Sequence, residues 1–347
     1  MTQDTDASAA ESLDAPARLS RAAQLMRTPS GAPLLGMWFL PTVALVIMLV
    51  AIFSIQPTAF SYTGLSLVLG GSFPLVLAAL AQMFVIAGGD IDLGIGSFVS
   101  LVNVIFAVTL EKNVLLGTLF LIGLVVANAL IGVLITVRRL PSIVVTLGMA
   151  FIWLGIAITI LPNPGGTVPA PIVSFVNLSP PVIPGVVLGI VIVTIVTSWF
   201  LMRTRYGAVL RATGSNPEAV TRAGWSVLKA KIVLYGIAGI FGVLSGMVLS
   251  GQATSGDPNI AQSYILLSIA GVIVGGGSFA GGDVSPGGTV AGALVIGLMA
   301  ALLQFLNISS NYQVGAQGLT LVVILLFRVG LSLLRRGRQS RITEARA

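Results

Sequence analysis

RTRYGAVLRATGSNPEAVTRAGWSVLKAK, residues 203–231, is the longest polar run inside a chain that is otherwise mostly hydrocarbon. Six basic side chains fall within it: Arg203, Arg205, Arg211, Arg222, Lys229 and Lys231. A short helix is legible in its middle. Asn216 is a good N-cap, Pro217 suits the first helical position, and Gly224 suits the residue just past the end. The reading predicts about two turns, Pro217 to Ala223, with Glu218 in the first turn, where a carboxylate complements the helix dipole. Ser215, Ala219 and Arg222 complete the segment. A lone helix of this length is unstable in water. It must be held by its own membrane domain or by another protein; otherwise the stretch is an ordinary amphipathic loop.

Outward from this run the composition is that of a membrane protein. Of 347 residues, 56% are hydrophobic and 8% charged, with a mean hydropathy of +1.02. Soluble domains carry roughly a quarter charged residues. The chain is therefore expected to be an all-α integral membrane protein. There is no cysteine, which removes disulfides and thiolate metal sites. There is no histidine, which removes the usual proton shuttle, the usual metal ligand and the base of a Ser-His-Asp triad. Neither a metal nor a cofactor is expected. A net charge of +7 would suggest nucleic acid in a soluble protein. Here the positive-inside rule accounts for it, and no nucleic-acid partner is inferred.

Residues 1–33 are polar and small, with Asp4, Asp6, Glu11 and Asp14 ahead of Arg18, Arg21 and Arg27. They read as a disordered cytoplasmic tail. The apolar run from Leu34 to Ile55 is long enough to span and lacks a small-x-small cleavage site, so it reads as a first retained span. Nine more spans are predicted near 64–87, 94–110, 114–137, 141–161, 182–202, 230–250, 264–279, 287–306 and 314–334. The third and eighth are short, as tilted or broken helices would be. Residues 34–335 then form the membrane domain, with 203–231 as a cytoplasmic loop and 336–347 as a basic cytoplasmic tail. Ten spans put both termini on one side. With that side inside, sixteen of the 18 Lys and Arg residues are cytoplasmic. Lys112 falls outside, and Arg328 lies near the inner end of the last span. The longest outer loop, Pro162–Pro181, is proline-rich and long enough to meet an external partner; the alternative is a plain connector. Glycines inside spans, such as Gly239, Gly242 and Gly246, let helix backbones approach closely.

Two turns share a tetrapeptide. Ala87-Gly88-Gly89-Asp90 precedes a second acid, Asp92, and Ala280-Gly281-Gly282-Asp283 precedes a Ser-Pro-Gly-Gly run. They read either as a remnant internal repeat or as chance in a glycine-rich chain. Asp90, Asp92 and Asp283 are the acids nearest membrane depth. An ionisable group there is a functional candidate; the favoured reading is that each caps a following half-helix.

No phosphate-cradling loop is present, because none of the three lysines follows a glycine in the Walker pattern. If transport is ATP-driven, a separate subunit must bring the ATP. The polar groups inside spans are mostly neutral. Asn103, Asn128, Thr146 and Gln304 could bond a hydroxyl-rich solute, and Phe151 and Trp153 could offer an apolar face to a sugar ring. The plainer reading of each polar residue is an interhelical hydrogen bond.

Four motifs, in order over about residues 60–335, resemble one family. They are Gly88-Gly89-Asp90-Ile91-Asp92-Leu93-Gly94-Ile95-Gly96-Ser97, Leu140-Pro141-Ser142-Ile143-Val144-Val145-Thr146-Leu147-Gly148, the loop from Tyr206 to Trp225, and Gly276-Gly277-Ser278-Phe279-Ala280-Gly281-Gly282-Asp283 through Gly292-Ala293. The chain is similar to the permease subunits of bacterial ATP-binding-cassette importers for monosaccharides, of the ribose, xylose, arabinose and galactoside type. It departs from that pattern at Asp90, an extra acid in the first turn, and at Gly94, Ala208, Trp225 and Asp283. The resemblance implies a non-catalytic permease in the bacterial inner membrane, paired with a second, identical permease chain. It implies ATPase subunits on the cytoplasmic face and a periplasmic or lipid-anchored solute-binding protein outside. Residues 215–224 would be the coupling helix that enters a groove of the ATPase.

A secondary, ion-coupled transporter is the rival. The absence of embedded charged pairs and the polar loop argue against it. Within the resembled class, the cargo could instead be a nucleoside, a polyol, a signalling sugar or a branched amino acid.

Overall fold

Thirteen α-helices make up most of residues 35–308, which a computed structural model describes together with Gly315, Gly318 and Leu319. The chain divides into two compact units, 1–36 and 37–347, and of the first only Leu35 and Gly36, at a helix start, are described. The predicted tails, 1–33 and 336–347, lie outside the described residues, as does the tenth span, 314–334, apart from the three residues named.

The helices follow the apolar runs. The first predicted span holds α1 (Leu35–Ile55). The second is α2 (Tyr62–Gly70) and α3 (Phe73–Ala87), bent by 43° at the break between them. Pro74, in the first turn of α3, has no N–H to continue the ladder of α2. The third is α4 (Ile95–Val104), which runs on as a π-helical segment, Ile105–Leu110. Then come α5 (Val114–Arg138) and α6 (Ser142–Ile160), a short helix α7 (Ala170–Val176), and α8 (Gly185–Ser198) with a π-helical continuation, Trp199–Arg203. The polar loop holds α9 (Arg205–Ser215) and α10 (Pro217–Arg222). The chain closes with α11 (Val227–Ala253), α12 (Tyr264–Val274) and α13 (Pro286–Phe305). By length and composition five helices can cross a membrane: α5, α6, α8 with its continuation, α11 and α13. The bent α2–α3 pair makes six if it is one span. No strand occurs among the described residues, only an isolated bridge between Gly165 and Gly256.

The centre of the packing is α3, with fourteen of its 15 residues buried. It is surrounded by α11, α12 and α13, and Phe84 stacks on Phe241 of α11 at 5.7 Å. All ten residues of α4 are buried too, with Phe98 edge-on to Trp153 of α6 at 5.8 Å. Lipid tails are as apolar as leucine, so helices in a bilayer associate by close backbone approach. The α12–α13 pair shows this. Gly271 and Gly275 face Gly292 and Gly288, and a Cβ on Gly292 would overlap the Gly271 carbonyl. Gly292→Leu is therefore expected to destabilise the protein by about 1–3 kcal/mol, the range for overpacked cores. Gly155→Leu, at a position with nothing within 4 Å, is the control. Thermal midpoints of the two variants in detergent check this: the first should fall and the second should not.

The proline-rich loop expected to lie outside is folded down rather than free. Gly165 and Gly256 exchange N–H···O bonds of 2.9 and 2.8 Å, and the Thr167 N–H donates to the Ala107 carbonyl. The Asn177 amide reaches the Gly251 carbonyl at the end of α11.

Candidate functional site

The helix α10 is built by its own sequence. The Asn216 side chain accepts the Ala219 N–H at 3.0 Å, Pro217 opens the first turn, and Glu218 pairs with Arg222 at 3.2 Å. Gly224 follows the end at φ +81°, a conformation that strains any residue with a Cβ. Trp225 then donates its N–H to the Val220 carbonyl and lies against Tyr206. Val220 is the one buried residue of the helix. Ser215, Asn216, Pro217, Glu218, Ala219 and Arg222 are all exposed. The pair Glu218–Arg222 is solvated on both sides and contributes little to stability. A six-residue helix is thus presented with its caps complete and most of its surface open.

The helix before it, α9, anchors this projection. Thr204 caps its start, and Leu210 packs in one cluster with Leu201, Ala230 and Leu234. Its end, Gly214, is wedged into a junction of the two glycine turns. A Cβ on Gly214 would strike the Ala87 carbonyl oxygen and would lie 2.7 Å from the Gly89 nitrogen and 2.9 Å from that of Gly282. A Cβ on Gly281 would lie 2.6 Å from Cα of Gly89. The Gly282 N–H donates to the Ala87 carbonyl at 3.1 Å. Gly89, Gly281 and Gly282 all hold φ near +80°. The two matching tetrapeptides therefore meet at one point, beneath the end of α9.

The acids of these turns behave differently from one another. Asp92 is buried, and its Oδ1 accepts the Gly94 N–H at 2.7 Å at the entrance to α4. Burial pushes its carboxyl up to about 6, opposed by that bond. The Gln82 amide is oriented to pair with the Asp92 backbone, donating to its carbonyl at 3.0 Å and accepting its N–H at 3.1 Å. Asp90 caps nothing, contrary to expectation. Its Oδ2 accepts from Lys231 Nζ at 2.5 Å and from the Tyr235 hydroxyl at 3.3 Å. Lys231 also donates to the Gly88 carbonyl at 2.6 Å. Asp283 caps nothing either: its side chain is exposed, and Ser285 takes the Gly288 N–H at the start of α13. The expected lack of an embedded charged pair is also corrected, because both side chains of the Asp90–Lys231 pair are only 11% exposed. A buried carboxylate so near a lysine draws it in, since each charge offsets the other's desolvation.

The six residues considered for a solute path are not gathered together. Asn103 donates to Ser250 and to the Ser255 carbonyl, and accepts the Asp257 N–H. Asn128 donates to the Tyr235 carbonyl. Thr146 accepts the Leu93 N–H and donates to the Ser142 carbonyl, and Ser142 itself accepts the Ile91 N–H. These are interhelical and helix–turn bonds. Trp153 is buried against Phe98, whereas Phe151 is 68% exposed on another face of α6. Gln304 is exposed near the end of α13. None of the six lines a cavity of about 750 Å³ that lies between α2, α3, α7, α8 and α11. Phe73, Phe175 and Met247 give it an apolar wall, and Ser66, Asn177 and Gln252 supply its polar edge. Losing the Asn103 bonds would strand several buried groups. Asn103→Leu should cost about 1–3 kcal/mol, read as a lowered unfolding midpoint with membrane insertion retained.

Similar proteins place the chain. The autoinducer 2 import system permease protein LsrC of Enterobacter sp. (strain 638) is 29% identical over 216 residues, 60% of this chain and 62% of that protein. The ribose import permease protein RbsC of Escherichia coli (strain K12) is 27% identical over 217 residues, 59% of this chain and 67% of that protein. RbsC of Haemophilus influenzae is 29% identical over 295 residues, 82% of this chain and 90% of that protein. The match to the first of these thus spans less than two thirds of the relative's length. No solved structure matches. A family model described as "Branched-chain amino acid transport system / permease component" matches residues 64–325. With apolar helices running through that same region, the chain is a multi-pass membrane protein and belongs to this permease family.

Proposed function

We propose that this chain is the membrane-spanning permease subunit of an ATP-binding-cassette importer for a monosaccharide, in the bacterial cytoplasmic membrane. One observation carries the reading: a capped, exposed helix, α10, stands on a glycine junction that joins the turns of the membrane core. An ATPase that grips α10 would act on α9, and through Gly214 on the turns between α3 and α4 and between α12 and α13. The chain lacks a Walker loop of its own, so ATP is hydrolysed by the partner. In this account two identical copies form the pathway, ten spans keep both termini inside, and a solute-binding protein delivers the sugar from outside. The neutral polar edge of the cavity suits hydroxyl groups, and relatives named for ribose and autoinducer 2 import support a small sugar-like cargo.

Two other readings have an observation behind them. The family description favours a branched amino acid as cargo. The Asp90–Lys231 pair and the buried Asp92 favour an ion-coupled carrier, which uses such groups at membrane depth. Their position at the turns, against the polar loop, fits coupling better. Affinity purification from native membranes tests the class. The permease reading expects an ATPase to co-purify at a constant ratio; a chain that comes alone while retaining uptake supports the carrier. A binding screen on the co-encoded external protein, with pentoses, hexoses and branched amino acids, tests the cargo. Tight binding of an amino acid and no sugar would overturn the monosaccharide reading.

A further inference from the structure

The loop between Ser215 and Ala230 leaves the membrane core at Gly214 and returns to it at Lys231. Both points touch one turn, residues 88–90, at different residues. On the way out, Gly214 is pressed against Gly89. On the way back, Lys231 Nζ donates to the Gly88 carbonyl and to Asp90. One turn further along α11, the Tyr235 hydroxyl donates to the same Asp90 oxygen. The two contacts differ in kind. A glycine-on-glycine wall resists compression only. A charge-assisted bond in a buried site resists separation as well. Together they transmit both push and pull from the loop to the α3–α4 turn.

We propose that Asp90 and Lys231 form a latch that ties the returning end of the α10 loop to the 88–90 turn, so that displacement of α10 in either direction moves the turn. Both are positioning residues. Asp90 is the extra acid that sets this turn apart from the pattern it resembles. The proposal rests on the importer reading, for which α10 is the point of ATPase contact.

The test uses the reconstituted assembly and four variants: Asp90→Asn, the neutral pair Asp90→Asn with Lys231→Met, the exchange Asp90→Lys with Lys231→Asp, and Lys231→Arg. The neutral pair leaves no orphaned buried charge, so it folds even if the single variant does not. The readout is solute moved per ATP hydrolysed. Neutral variants should lower this ratio roughly tenfold, within the range of measured coupling effects, with basal hydrolysis and bound ATPase unchanged. Lys231→Arg and the exchange should recover most of it. A purely structural role would lower the folded amount and leave the ratio intact. An unchanged ratio in the neutral pair overturns the latch.

A second measurement separates the two claims. The chain has no cysteine, so Ala223→Cys gives a single spin-label site on the loop. In the purified chain alone, the neutral pair should make that label markedly more mobile. Unchanged mobility overturns the latch whether or not an ATPase binds. Raised mobility in a chain that recruits no ATPase leaves the latch standing and removes the importer reading.

Discussion

Gly214→Ala, a change of one methyl group, is expected to reduce solute uptake by about tenfold or more, the loss that ~1.4 kcal/mol of misfit in one conformation produces. The added Cβ meets three backbone groups that belong to two turns: the Ala87 carbonyl and the Gly89 N–H of one, and the Gly282 N–H of the other. None is the end of a flexible side chain, so none can turn aside. Overpacking of this kind costs about 1–3 kcal/mol. The strain falls at the point where α9 presses on both turns, so it biases the junction rather than the bulk of the helices. Membrane insertion and expression should persist. The check is uptake into vesicles normalised to inserted protein, with Gly148→Ala, at a site with no atom within 4 Å, as the control. Equal loss in both would point to general fragility of the glycine-rich spans.

Gly224→Pro is expected to abolish solute-stimulated ATPase activity and uptake while leaving the spans folded. Proline fixes φ near −65°, and Gly224 sits at +81°. The substitution also removes the N–H that donates to the Thr221 carbonyl. The end of α10 must then unwind, and the Trp225 contact with Tyr206 goes with it. Glu218→Arg tests the same surface without touching the backbone. It puts a cation at the positive end of the helix and loses the pair with Arg222, effects worth only about 0.3–1 kcal/mol on folding. A large loss of stimulated ATPase from so small a change in stability would mark Glu218 as part of the docking face. Undiminished uptake in both variants would remove α10 from the coupling role.

The local parts of this picture were legible in the sequence. Asn216, Pro217 and Gly224 delimit α10 because caps and turn glycines act within four residues of themselves. The apolar runs mark α1 to α6, α8 and α11 to α13 for the same reason. What joins them was not legible. Asp90 and Lys231 are 141 positions apart, and each has a plausible local account, as a cap and as an inside charge. The shared tetrapeptides gave a hint of likeness but not of contact. Asn103, Asn128 and Thr146 are ambiguous in the sequence because polarity in a span has two uses, solute ligand or interhelical bond, and only partners decide between them. Phe151 and Trp153 are a different lesson. Two residues apart on a helix stand about 200° apart, so the helical period alone argued against both facing one sugar ring.

Transport by the purified chain in proteoliposomes is the most direct test of the energy source. The account predicts uphill uptake only when the partner ATPase, the external binding protein and ATP are present, and none on a proton or sodium gradient. Uphill accumulation by this chain alone, driven by either gradient, would contradict it.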